Sequence, residues 1–181
     1  MLSRINHKNF VNLIGYCEED ESFNRMMIFE YAPNGTLFEY LHVKEMEHLD
    51  WSARMRIITG IAYCLQYMHR DLNPPVAHSN LNSHNIFLTD DYAAKAVEYL
   101  NDKCSISYLI DPTLKSFKNN ELDLICEIIQ ECIQPDSRQR PTMKDITSKL
   151  REVIAISLDQ ATPRLSPLWW AELEILFVEV T

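Results

Sequence analysis

Glycine is scarce in this chain. Only three of its 181 residues are glycine, where average usage of about 7% would supply about thirteen. They stand at Gly15, Gly35 and Gly60, too far apart for any two to share one loop. Loops such as GxGxxG and GxxxxGK need neighbouring glycines, because backbone must approach phosphate oxygens where a Cβ would intrude. A self-contained dinucleotide site, a P-loop or any complete glycine-rich nucleotide loop is therefore excluded.

Other absences narrow the field further. No apolar run approaches the roughly 20 residues needed to cross a bilayer. The start, MLSRINHKNF, has no apolar signal core. A cytoplasmic chain is expected. Cations are outnumbered, 17 Lys and Arg against 26 Asp and Glu, for a net charge of −9. Nucleic-acid binding, which needs clustered cations, is not expected. The five cysteines (Cys17, Cys64, Cys104, Cys126, Cys132) are odd in number and form no CxxC pair, which reads as free buried thiols. The six histidines make no HExxH, and His42/His48 and His78/His84 have the wrong offset for one helical face. No metal site is expected. No GxSxG elbow anchors a serine hydrolase.

What remains is an ordinary globular composition, 46% hydrophobic and 24% charged, long enough for one domain with a sizeable core. Phe10–Tyr16 and Met26–Tyr31 read as strands, separated by a polar hairpin-like stretch, Glu18–Asn24. Pro33-Asn34-Gly35-Thr36 reads as a turn, with a short helix over Thr36–His42. Asp50 can cap a long helix from Trp51 to near His69. Its Trp51, Met55, Ile58, Ala62 and Leu65 form one apolar stripe.

A short apolar–polar stretch, Val76–Leu88, follows. Asn120 can cap another helix, with Leu122, Ile125, Ile129 and Cys132 inward and Pro135 as its stop. Thr142–Asp145 resembles a capping box, and Met143, Ile146, Leu150 and Val153 form the next stripe. Ser166-Pro167 can open a last helix, with Trp170, Leu173 and Phe177 on one face. Trp169-Trp170 reads either as a docking surface or as a staple folded back on the helical core. Strands followed by helices predict an α+β fold.

At this point several segments resemble a known family. INHKNFVNLIGYCEE and MMIFEYAPNGTLFEYLH are similar to the end of helix C, the next two strands and the hinge of plant receptor-like protein kinases. LDWSARMRIITGIAYCLQYMH resembles the family's helix E, and LIDPTLKSFKNNELDLICEIIQECIQPDSRQRPTMKDI its last helical pair. The tail ATPRLSPLWWAELEIL resembles leucine-rich-repeat receptor-like kinases of the male-discoverer type, many of which look like pseudokinases. The resemblance implies a kinase-like fold in three parts. Residues 1–32 are a partial N-lobe and hinge, 33–156 a partial, mostly helical C-lobe, and 157–181 a tail with a short amphipathic helix.

Phosphoryl transfer needs held phosphates, metal ligands and a base for the attacking hydroxyl. The family's glycine loop, phosphate-binding lysine and helix C glutamate would precede Met1. His69-Arg70-Asp71 spells the family's HRD, but HRDxxxxN would then place Asn where Val76 stands. The register that fits is His78 to Asn85. It puts Asn80 at the catalytic aspartate's place and Asn82 at the lysine's. An amide has no carboxylate to accept a proton. His69–Asp71 then reads as an exposed polar helix end.

The DFG aspartate falls on Glu98, which reads more simply as a solvated glutamate, and Leu100 replaces the motif's glycine. Only Asn101–Ile106 separate Leu100 from the family-like SYLIDPTL, which leaves no room for an activation segment or helix F. Arg140 would lose its usual glutamate partner, leaving it solvated or paired with another carboxylate.

Backbone groups of Glu30 and Ala32, with Asn85, are the candidate nucleotide contacts, and Phe29 the residue behind them. The simpler reading is a strand-to-turn connection with Phe29 in the core. ATP and magnesium are implied by the resemblance alone. The expectation is a catalytically inactive kinase-domain fragment that binds a protein partner, with another kinase domain as a candidate. A degenerate nucleotide sensor and an incomplete product of a serine/threonine receptor-like kinase gene are the alternatives. The parent family sits at the plasma membrane with its kinase domain in the cytoplasm.

Overall fold

A computed structural model describes residues 5–18, 25–43, 45–91, 94–96, 114 and 116–164. The expected helix after Ser166, Trp169-Trp170, Glu98, Leu100 and Cys104 lie outside them. Few strands and several helices surround one long helix.

The described residues begin with a packed segment and not with a strand. The Phe10 N–H donates to the His7 carbonyl (2.9 Å), closing a turn that puts Phe10 and Val11 in the core. The first strand, β1 (Leu13–Glu18), therefore starts three residues later than expected. It pairs antiparallel with β2 (Arg25–Phe29), with an irregularity between Leu13 and Gly15. The expected turn follows. Gly35 adopts φ +67°, a backbone conformation that glycine takes at little cost. A Cβ there would also lie 2.4 Å from the Glu39 carboxylate. That carboxylate is already used: it accepts the Thr36 N–H and hydroxyl in a capping box that opens α1 (Leu37–His42).

Helix α2 (Trp51–Arg70) is the centre of the molecule. The Asp50 side chain caps it, accepting the Ala53 N–H at 2.7 Å. The expected stripe is only half of its buried surface. Met55 and Ala62, with Trp51 and Ile58 beside them, face one cluster. Ile57, Ile61, Cys64 and Met68 form a second stripe that faces another, and Leu65 packs there. A helix with apolar residues round most of its circumference is a core helix. A single-stripe reading understates it.

After α2 the chain returns through an extended stretch containing a cis Asn73–Pro74 bond. It then forms β3 (Ile86–Leu88), paired antiparallel with β4 (Ala94–Ala96). This second small sheet breaks the expected order of strands first and helices after.

Helix α3 (Asn119–Cys132) starts at Lys118 as N-cap, not at Asn120. Its buried face is Glu121, Leu124 and Ile128, one position off the expected Leu122, Ile125 and Ile129, which are half-buried. The rotation has a cause. Glu121 is drawn inside, where it accepts the Trp51 indole N–H at 2.5 Å and meets Lys118 at 2.9 Å. Helix α4 (Met143–Val153) keeps its expected Thr142–Asp145 capping box and its Ile146 and Leu150 core face. A last turn, α5 (Leu158–Ala161), has its own capping box from Ser157 and Gln160. Cys64 is buried as expected, Cys126 and Cys132 are only half-buried, and none of the three is in a disulfide.

Candidate functional site

The stretch between α2 and β3 carries the residues singled out from the sequence. It is anchored at its start by the Val76 N–H on the Met68 carbonyl (2.9 Å). At its end Asn85 is buried immediately before β3. Between them the chain has three asparagines and no carboxylate. Local folding follows from asparagine's habit of capping turns with its own side chain. The Asn82 side-chain oxygen accepts the His84 N–H (2.9 Å), opening a single turn over Ser83–Asn85.

The structure brings Asn80, Asn82 and Asn85 together. Asn82 donates its side-chain N–H to the Asn80 side-chain oxygen at 2.9 Å. Asn85 donates its own to the Asn80 backbone carbonyl, also at 2.9 Å. The three side chains are neutral amides. They can orient a hydrogen-bonding ligand, but they offer no group that takes up a proton at neutral pH. His78 is half-buried at the near end, and His84 stacks on Phe38 of α1 with ring centroids 3.8 Å apart.

Glu30 and Ala32 stand elsewhere, in the link from β2 to the turn. The Glu30 N–H donates to the Asn12 carbonyl (3.0 Å), and the Glu30 carboxylate accepts the Asn12 N–H (2.8 Å). The Ala32 carbonyl accepts the Gly35 N–H. The turn is sewn to the strand after Asn85. Asn34 donates its backbone N–H to the Leu88 carbonyl (3.2 Å) and its side chain to the Thr89 carbonyl (2.7 Å). The Leu88 N–H bonds to the Gly35 carbonyl (2.8 Å). Phe29 is half-buried.

His69, Arg70 and Asp71 form the exposed end of α2, as expected. Among the described residues Arg140 makes no salt bridge to a carboxylate: it donates to the backbone carbonyls of Gln134 (2.8 Å) and Pro135 (3.4 Å). Among the described residues no three His, Cys, Asp or Glu side chains gather as a metal set, and no helix is long and apolar enough to cross a membrane.

Two features escape a sequence reading. One is a clamp. Arg56 on α2 donates to the Asp91 backbone carbonyl and to the Asp91 carboxylate (2.7 Å), and to the Gln160 carbonyl. Burial pushes the Asp91 carboxyl up. Hydrogen bonds from Thr89, Arg56 and the Arg164 N–H, with the Arg56 charge, more than reverse that and hold it below the ordinary carboxylate value. The other is a cleft of about 630 Å³ where Arg70 meets Arg140 and Lys144. Sequence separation hides both.

The family model for protein tyrosine and serine/threonine kinases matches residues 1–107. Protein MALE DISCOVERER 2 of Arabidopsis thaliana is 51% identical over 99% of this chain, and the chain covers 36% of it. An inactive receptor-like serine/threonine-protein kinase of the same plant is 42% identical over 97% of the chain, which covers 48% of it. The chain thus spans between a third and a half of these relatives. The first alignment runs over 243 positions against a chain of 181, so more than sixty positions inside it face no residue here. Among solved structures, the pseudokinase drought responsive inactive kinase 1, bound to ENMD-2076, is 41% identical with a TM-score of 0.75. That match covers 86% of this chain and 73% of the other. An apo pseudokinase is 40% identical with a TM-score of 0.74.

Proposed function

The chain belongs to the protein tyrosine and serine/threonine kinase family, and from that premise we propose that it is a catalytically inactive kinase-like segment that works by binding another protein. The carrying observation is the amide cluster. On this reading His78–Asn85 is the catalytic loop, with Asn80 where the base belongs and Asn82 in the lysine's place. Kinase chemistry requires a carboxylate there to receive the hydroxyl proton. Asn80 instead accepts a hydrogen bond from Asn82. The internal stretch that the relatives have and this chain lacks supports the same conclusion, being read as the activation segment and helix F.

Protein binding is supported by the apolar side chains left in solvent on and beside the hairpin. Ile14, Met27 and Ile28 are about half exposed and Tyr31 is 85% exposed. Clustered exposed apolar groups mark interaction surfaces. The partner is read as a protein, with another kinase domain as the candidate. The parent is read as a plasma-membrane receptor-like kinase, with residues 1–32 and 33–156 as its two lobes on the cytoplasmic side.

The test is transfer of labelled γ-phosphate by the purified chain to itself or to a general protein substrate. No incorporation above a blank is expected, and incorporation would overturn the reading. A second reading, a sensor of small molecules through Glu30, Ala32 and Asn85, draws on the pseudokinase relative solved with ENMD-2076. A ligand that binds only the folded state must raise thermal stability. A shift with ATP and Mg²⁺, without phosphate transfer, would favour the sensor.

A further inference from the structure

Between α2, α3 and α4 lies an open apolar cavity of about 340 Å³. Ile58 and Leu65 of α2, Ile125 and Ile129 of α3, and Met143 and Leu150 of α4 line it, and the described residues put no charged side chain among its walls. Met143 and Ile146 also border the basic cleft, so the two spaces adjoin. The cleft adds His69, Arg70, Arg140 and Lys144. The nearby Asp145 carboxylate is committed to the Thr142 hydroxyl and N–H. The composite surface is apolar at one end and cationic at the other.

The chain carries a segment of complementary chemistry. Residues 165–181, LSPLWWAELEILFVEVT, contain three glutamates and no lysine or arginine. In a helix, Trp170, Leu173 and Phe177 fall on one face, while Glu172, Glu174 and Glu179 supply negative charge. The cavity is narrower than a helix, whose diameter with side chains is about 10–12 Å, so it takes protruding side chains. From Arg164 to Trp170 the six residues of the tether can span up to roughly 20–22 Å, against a radius of gyration of about 16 Å for a domain of this length. Tethering holds such a segment at an effective concentration near the millimolar range.

We propose that residues 165–181 fold back as an amphipathic helix on this surface, with Trp170, Leu173 and Phe177 in the apolar cavity and the glutamates against Arg70, Arg140 and Lys144. The test uses the full chain. Carbodiimide coupling with peptide mapping is expected to join Lys144 to Glu172 or Glu174 within a monomer. Hydrogen exchange is expected to show the amides of 168–178 protected several-fold over an unstructured peptide. Arg70 and Lys144 are exposed, so Arg70→Gln with Lys144→Gln leaves the fold intact. That variant should erase the tail's protection while α2 and α4 keep theirs.

Three results would overturn the proposal. The tail amides exchange without protection, or their protection survives the charge variant. Alternatively the Lys144 link is absent from monomers or appears only between two copies, which assigns the surface to a second chain.

Discussion

Asn9 donates its side-chain amide to the Ala161 carbonyl, 3.0 Å away across 152 positions of sequence. The bond is buried and crosses the α2 backbone at Gly60. A Cβ on Gly60 would lie 2.6 Å from that carbonyl and 2.7 Å from that amide. Helix propensity alone favours alanine over glycine by about 1 kcal/mol. Breaking a buried hydrogen bond and overpacking the crossing costs more, about 1–3 kcal/mol for each. Gly60→Ala is therefore expected to destabilise the chain by about 2 kcal/mol net, read as a fall in urea midpoint. Gly15, with open space around its Cβ position, is the control, and Gly15→Ala should be close to neutral.

The Arg56–Asp91 clamp predicts an acid-sensitive contribution. The Asp91 pKa is lowered in the folded chain. Its stabilising effect is therefore complete above the unfolded value, about 3.9. It is lost as pH falls through the lower folded value. Glu39 and Asp145, each held down by its capping-box threonine, act in the same direction. Asp91→Asn should weaken the chain at neutral pH and flatten the acid limb of its stability curve, so the two curves converge at low pH. Parallel curves of thermal midpoint against pH would show that Asp91 is not linked.

Local chemistry was legible in the sequence where partners are close in the chain. The Pro33–Thr36 turn, the Asp50 cap and the Thr142–Asp145 box each depend on side chains within a few residues of the backbone they serve. The inward face of helix α3 escapes the sequence pattern because one of its residues is a glutamate. Periodicity counts apolar residues, and only the fold brings Trp51 to Glu121. The second stripe of α2 is hidden by the first, because a single apolar stripe is enough to specify an amphipathic helix. At the site, spacing favours His78–Asn85 over His69–Asp71 as the register of the loop. The amide-to-amide bond between Asn82 and Asn80 depends on how the fold turns those side chains.

Thr59 offers a prediction about a buried hydroxyl. Its Oγ1 is sealed in α2 with no hydrogen-bond partner among the described residues. An unsatisfied buried hydroxyl costs about 1–3 kcal/mol. Valine has the same branched shape without the polar atom. Thr59→Val should stabilise the chain by about 1 kcal/mol and raise the thermal midpoint by about 2–4 °C. A fall would place an ordered water on the hydroxyl.

Asn80→Asp tests the inactive reading at its centre. The substitution restores a carboxylate at the position read as the catalytic base. It keeps the acceptor that Asn82 uses, because a carboxylate oxygen receives an N–H at least as well as an amide oxygen does. The backbone carbonyl that Asn85 contacts is untouched. The fold should therefore survive, with a thermal midpoint close to that of the parent. Activity should not appear. A base contributes about 10²–10⁴-fold to a proton-transfer step, but only when the phosphates and the accepting hydroxyl are already in place. The residues that would place them are not restored by one carboxylate. Labelled phosphate incorporation by the Asn80→Asp chain is expected to stay at blank level. A signal that appears with aspartate and vanishes with alanine at the same position would mean that the rest of the machinery is present and that the amide alone silences it.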